Sequence, residues 1–336
     1  MATRELTPAP AGLSVMRPPR QGSASWPLVD RAGYWLCWAT GVALCLITVA
    51  IVVFMLVKGI SYLRPSLFVT SPAPSLQQSK AGGFFDPIVG TLIVTAVGTL
   101  IAAPVGVALA AWLSEYGRPS RLARAVESAI EIIAGTPSVV LAIFGLLVFS
   151  QSFLGFLSET ASDGAVTGQS FLTVGVIMAL LALPLIVAAA REGLSQVPDR
   201  MREASYALGK TRARTIRRVL LPAIRPSIAE GVVLGMGRII GDTAIVIILL
   251  QLSVTKNEPV GSVPVLNILR GTGSTLTSYV FYNSPAGEGN AHQKAYAAAF
   301  VLLMIVLALN FAVIRITGGR DRAESRRRRL LRWLRP

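Results

Sequence analysis

The sequence predicts an all-α fold, a polytopic membrane protein with six transmembrane helices. Three observations carry that prediction. Hydrophobic residues make up 53% of the 336 positions, charged residues only 15%, and the mean hydropathy is +0.60, whereas soluble domains carry about 25% charged residues. Six apolar runs lie near Trp35–Val57, Ile88–Leu113, Ile130–Phe149, Val174–Ala190, Ile228–Leu252 and Ala295–Ile314. Each has roughly the 17–25 residues that a helix needs to cross a hydrocarbon core, and none has the ~10-residue alternation of a barrel strand. Finally, of the 32 Lys and Arg residues, 25 fall in segments on one side of a six-span layout and 6 on the other. This positive-inside bias places both termini in the cytoplasm. The net charge of +15 is then a topology signal, and nucleic-acid binding is not expected.

Residues 1–31 read as a disordered cytoplasmic tail, 32–316 as the membrane domain and 317–336 as a basic cytoplasmic tail. The apolar run after the first tail is about 23 residues, longer than the 7–15 residues of a signal-peptide core, so it reads as an uncleaved span. Cys37 and Cys45 lie eight residues apart on that helix, roughly 12 Å along its axis, too far to bridge. The second, third and fourth spans contain Pro104, Pro137 and Pro184, tolerated where neighbouring helices restore packing. Glu115, beside Arg118, reads as a solvated residue at the cytoplasmic edge, and Glu131 opens the third span. The outer segments 58–87 and 253–294 are rich in Gly, Pro, Ser and Asn. They read as loops with room for short helices and no apolar core of their own. His292, the only histidine, reads as exposed and without a chemical role. The "RDRAESRRRRLLRWLRP" tail suits anionic lipid headgroups, at about 1 kcal/mol per charge near the surface.

Segment 191–225 is the one sizeable structured loop. Its Gly209-Lys210-Thr211 imitates the end of a phosphate-binding loop, but Ala204 stands where the first glycine is needed and no strand precedes it. A DNA-binding helix-turn-helix lacks a third helix to build a core. A docking element remains. Asp199 is expected to cap a helix over about 200–208, with Gly209 at its C′ position. Met201, Ala204, Ser205 and Leu208 share one face, with Arg200, Arg202 and Glu203 elsewhere on the surface. Such a helix fits a groove on another protein. A second helix, about Arg212–Leu221, is expected to stop at Pro222, where the fifth span begins, so a push on the first helix reaches a membrane helix.

Arg238 lies about ten residues into the fifth span, with Asp242 four residues on and so on the same helical face. A charge at the centre of a membrane helix costs about 2.5–3.5 kcal/mol on insertion scales, so this pair is expected to face a partner, the bundle interior or an aqueous pathway. Two readings stay open. One is a structural ion pair. The other is an anion pathway in which Arg238 donates bidentately to a passing oxyanion while Asp242 orients it. No metal-ligand cluster and no nucleophile–base pair is legible, so no catalytic residue is assigned.

The spacing Glu203-Ala204-Ser205-x3-Gly209-x9-Val219-x-Leu221-Pro222 resembles the EAA loop of ABC-importer permeases, with Ser205 and Val219 as conservative departures. The segments "APVGVALAAWLSEYG", "IEIIAGTPSVV", "LPLIVAAAREGLSQVPDRMREASYALG" and "GRIIGDTAIV" are similar to PstA-type permeases of phosphate importers. The family's R-A-x-G-E-T-A pattern is matched at Arg238, Gly241, Thr243 and Ala244, with Asp242 in place of Glu, and its G-x-P-S turn at Gly135, Pro137 and Ser138. The resemblance implies a type I (MetI-like) importer permease in the bacterial cytoplasmic membrane. It also implies a coupling helix in which Glu203, Ala204, Ser205, Leu208, Gly209, Leu221 and Pro222 engage an ATPase, and a solute path past Arg238, Asp242, Thr243 and Ser138. The partners implied are a related PstC-type permease chain, two PstB-type ATPases holding ATP and magnesium, and an external PstS-type binding protein; this chain itself would bind no cofactor. Phosphonate or sulfate is the alternative solute, and a membrane scaffold or sensor without transport is the alternative class.

Overall fold

The computed structural model describes residues 28–60, 62–71, 82–117, 120–157, 166–250, 269–285 and 291–333. The chain forms two units, 1–54 and 55–336, whose boundary falls inside the first helix. That helix, α1 (Leu28–Gly59), is apolar between Asp30 in its first turn and Lys58 in its last, apart from Arg31, and both cysteines in it are free and exposed. Residues 1–27 and Arg118 lie outside the described residues.

In the second unit, α2 (Phe85–Glu115) and α5 (Phe171–Ser195) form the most extensive helix pair, and α9 (Arg225–Gly241) packs across both. Glycines allow this approach. Gly106 lies against Ile186, and Gly98 lies against the Gly175 carbonyl. A Cβ at Gly231 of α9 would fall 2.8 Å from the Ala189 Cβ and 3.2 Å from the Ile186 Cα, a contact with backbone that cannot rotate away. Gly231→Val is therefore expected to lower the thermal midpoint of the purified chain, in line with the ~1–3 kcal/mol cost of overpacking. Gly237→Ala, with open space around its Cβ, is the matched control and should lower nothing.

Pro104 and Pro184 sit inside unbroken helices. Pro137 does not. The expected third span is two helices, α3 (Arg121–Gly135) and α4 (Ser138–Phe149), meeting at 109°. Ser120 caps α3, accepting from the Ala123 amide at 3.1 Å. Glu131 is exposed on the first half of this broken pair, an amphipathic helix. The break has a local cause: the residue before a proline is pushed out of the helical region, and Thr136 adopts ψ 130°. Among the described residues, four helices are long and apolar enough to cross a membrane, or up to six if each bent pair counts as one span.

The segments at the far end of the bundle from 191–225 do build a core, contrary to expectation. A 3-10 turn, Pro65–Phe68, and a short helix, which becomes α11 (Leu276–Asn283), close around the fully buried Phe84 with Tyr279, Ala297, Ala298 and Val301. The Phe84 and Tyr279 rings meet edge-on at 5.4 Å. Burial raises the Tyr279 phenol well above its ordinary range, and Tyr62 adds in the same direction. His292 is half-buried rather than exposed, at the start of the last helix, α12 (His292–Trp333). Residues 317–333, expected as a separate tail, continue that helix.

Candidate functional site: a docking helix and a broken span

The docking helix forms as α6, Asp199–Ala207. Its N-cap is Pro198, and Asp199 lies one residue inside the helix, not at the cap as expected. The Asp199 carboxylate instead accepts from Arg202 Nη1 at 3.0 Å. The C-terminal end matches expectation. Gly209 has φ +71°, its amide donates to the Tyr206 carbonyl at 2.9 Å, and the Lys210 amide donates to the Ser205 carbonyl at 3.2 Å. This is a Schellman termination with glycine in the left-handed region.

Of the four residues assigned to one docking face, Met201, Ala204 and Leu208 are exposed, Leu208 to 76%, and Glu203 and Tyr206 are exposed beside them. Ser205 is not part of that surface. It is buried, with its Oγ 2.8 Å from the Oγ1 of buried Thr215, because α7 (Arg212–Thr215) folds back over that side of α6. A π turn, Ile216–Leu220, and the short α8, Leu221–Ala223, follow. Ile216, Leu220 and Ile224 pack against Ala111, Leu194 and Val197 at the ends of α2 and α5. Leu221 and Pro222 open α8, so Pro222 does not end the preceding segment. The 72° bend comes afterwards, at Ile224, and α9 begins at Arg225.

Two residues at this end depart from the sequence reading. Glu115 is not solvated, since its side chain is only 8% exposed and its Oε1 accepts from Arg202 Nε at 3.1 Å. Arg202 is half-buried rather than a free surface charge. It also donates from Nη1 to the Val197 carbonyl at 2.8 Å and from Nη2 to the Leu194 carbonyl at 2.9 Å. Two partners 87 residues apart in sequence leave no periodic signal. Tandem retention of Glu115 and Arg202 across relatives is the signal that would have revealed them.

The fifth span is interrupted. Helix α9 ends at Gly241, Asp242 is extended (φ −81°, ψ 122°), and α10 resumes at Ala244–Leu250. The expected shared face of Arg238 and Asp242 is thereby lost. Asp242 is 7% exposed, and its Oδ1 accepts from the Ile245 amide at 3.0 Å, capping α10. Arg238 stays on the exposed face of α9 with Leu234 and Gly241. No ion pair joins Arg238 and Asp242 among the described residues. Thr243 is half-buried in the break, and its carbonyl accepts from the Ile247 amide at 3.0 Å. Ser138, half-buried, is the first residue of α4, directly after the other break. Because α4 packs against α10, the half-helices that start at these two breaks are neighbours, and Gly145 of α4 lies against Leu249 of α10.

This arrangement places an exposed cation and two hydroxyl residues on interrupted apolar helices, and a partly apolar helix uncovered at one end. The chain is 33% identical over 257 residues to the phosphate transport system permease protein PstA 1 of Mycobacterium tuberculosis, covering 76% of this chain and 75% of that one. It is 27% identical over 344 residues to the phosphate transport system permease protein PstC 2 of Mycobacterium bovis, covering 95% and 99%. Its fold matches a chain of a bacterial alginate ABC transporter with a TM-score of 0.57 at 17% identity, covering 85% of this chain and 95% of that one. Residues 102–323 match a family described as the binding-protein-dependent transport system inner membrane component, and the chain belongs to that family.

Proposed function

We propose that the chain is a permease subunit of an ATP-driven importer for inorganic phosphate. The observation that carries this reading is Arg238, a guanidinium on an uncovered face of a membrane helix, one turn before that helix breaks. A lipid-facing charge there costs about 2.5–3.5 kcal/mol. Covering that face with a second, related permease chain turns the cost into an anion site between the two subunits, and the names of the relatives support phosphate as the anion. Interrupted helices beside a central solute are a recurrent feature of transporters that alternate access by rocking one half against the other.

On this reading six spans cross the membrane, counting α3 with α4 and α9 with α10 as one each, and both termini are cytoplasmic. Arg238 binds the solute, with Thr243 and Ser138 as neutral donors, and Asp242 holds the break open by capping α10. Helix α6 seats Glu203, Ala204 and Leu208 in a separate ATPase subunit, one of two that hold the ATP and magnesium. An external binding protein delivers phosphate. The test is uptake of radiolabelled phosphate by proteoliposomes holding the full complex with ATP inside. Excess unlabelled phosphate should abolish the signal, and equal excesses of sulfate and methylphosphonate should not. Equal competition by sulfate would overturn the choice of solute.

A further inference from the structure

Building on that reading, we propose that Arg202 is a positioning residue that carries the ATPase stroke from the coupling helix sideways into the α2–α5 pair. Its guanidinium uses all three nitrogens. Nε meets Glu115, the last residue of α2. Nη2 meets the carbonyl of Leu194 in the last turn of α5, and Nη1 meets the carbonyl of Val197 just beyond it, together with Asp199 of α6 itself. The ends of two helices are thus gathered on one side chain of a third. Carbonyls at a helix C-terminus lack partners within the helix and carry partial negative charge, so a planar cation with a fixed fork of donors suits them. A second tie runs parallel to the first, with the Arg212 Cζ 5.4 Å from the centre of the Tyr116 ring at the end of α2.

The path along the chain is softer. From α6 it passes the left-handed turn at Gly209, the short α7, a π turn and a 72° bend before it reaches α9. Each of these joints absorbs displacement. The Arg202 path has no backbone joint, and it ends on the helices held together most extensively in the fold. A push on α6 therefore moves α2 and α5 directly, and the break at Asp242 is displaced through α9, which packs on both.

The test uses the complete complex in proteoliposomes, with phosphate uptake and ATP hydrolysis measured on the same preparation. Glu115→Gln keeps the shape and the carbonyl bonds of Arg202 but removes the ion pair. It should lower phosphate transported per ATP about tenfold while hydrolysis stays within about twofold, the size of a typical coupling between sites. Arg202→Lys, which keeps the charge and loses the fork, should do the same. A ratio equal to that of the native complex in both variants overturns the proposal, as does a parallel fall in uptake and hydrolysis.

A second readout needs ATP but no solute. Spin labels at Arg200→Cys and Leu100→Cys, with Cys37→Ser and Cys45→Ser, report the separation of α6 and α2. ATP should leave it unchanged with Arg202 present and shift it by about 2 Å or more in Arg202→Ala, the scale of helix shifts in switching proteins. A separation that already changes with Arg202 in place overturns the clamp. Absence of phosphate uptake by the native complex would strike the solute assignment alone and leave the clamp to this measurement.

Discussion

Arg238→Ala is expected to reduce ATP-driven phosphate uptake about ten- to a hundredfold, the equivalent of the ~1.5–3 kcal/mol of a charge-assisted hydrogen bond. The chain should remain folded. Arg238 makes no ion pair with any described residue, and its face of α9 is uncovered, with open space around Gly237 and Gly241. Arg238→Lys should fall between, since an ammonium restores the charge and not the bidentate geometry. The measurement is the initial uptake rate alongside the thermal midpoint of the purified chain. Native uptake in Arg238→Ala would remove the guanidinium from the pathway, and a collapsed midpoint would make it a structural residue.

Gly209→Val is expected to uncouple the complex, lowering binding-protein-stimulated ATP hydrolysis about tenfold. The cause is conformational. Nothing lies within 4 Å of a Cβ built at Gly209, yet its φ is +71°. A left-handed backbone costs an ordinary L-residue about 1–2 kcal/mol, more when the side chain is β-branched, and 1.4 kcal/mol is tenfold. Gly209→Asn should therefore retain most of the activity, because asparagine tolerates this region. Valine and asparagine behaving alike would show that the turn does not hold α6 in place.

The contrast between these two sites says what a linear chain reveals. Gly209 was legible because a helix terminus is a local event, in which one residue type at one offset answers a backbone requirement. The helices were legible for the same reason. The partner of Glu115 was not, because Arg202 reaches it only once α2, α5 and α6 have packed. Nor was the core around Phe84, which assembles segments from opposite ends of the unit. The relation of Arg238 to Asp242 was misread by a rule valid only inside a continuous helix. The break at Asp242 carries no proline, and the competing local bond from its carboxylate to the Ile245 amide won over helix continuation.

Helix α4 has twelve residues, a strut about 18 Å tall beside an acyl layer of about 30 Å. Its continuation, α3, leans away by 109° and adds little height. Lipids next to α4 have to shorten or splay to meet it, so headgroups and water are drawn inward toward the Thr136-Pro137 turn. The thickness of the surrounding membrane becomes a load on that joint, and lipids of different acyl length should tune the protein there.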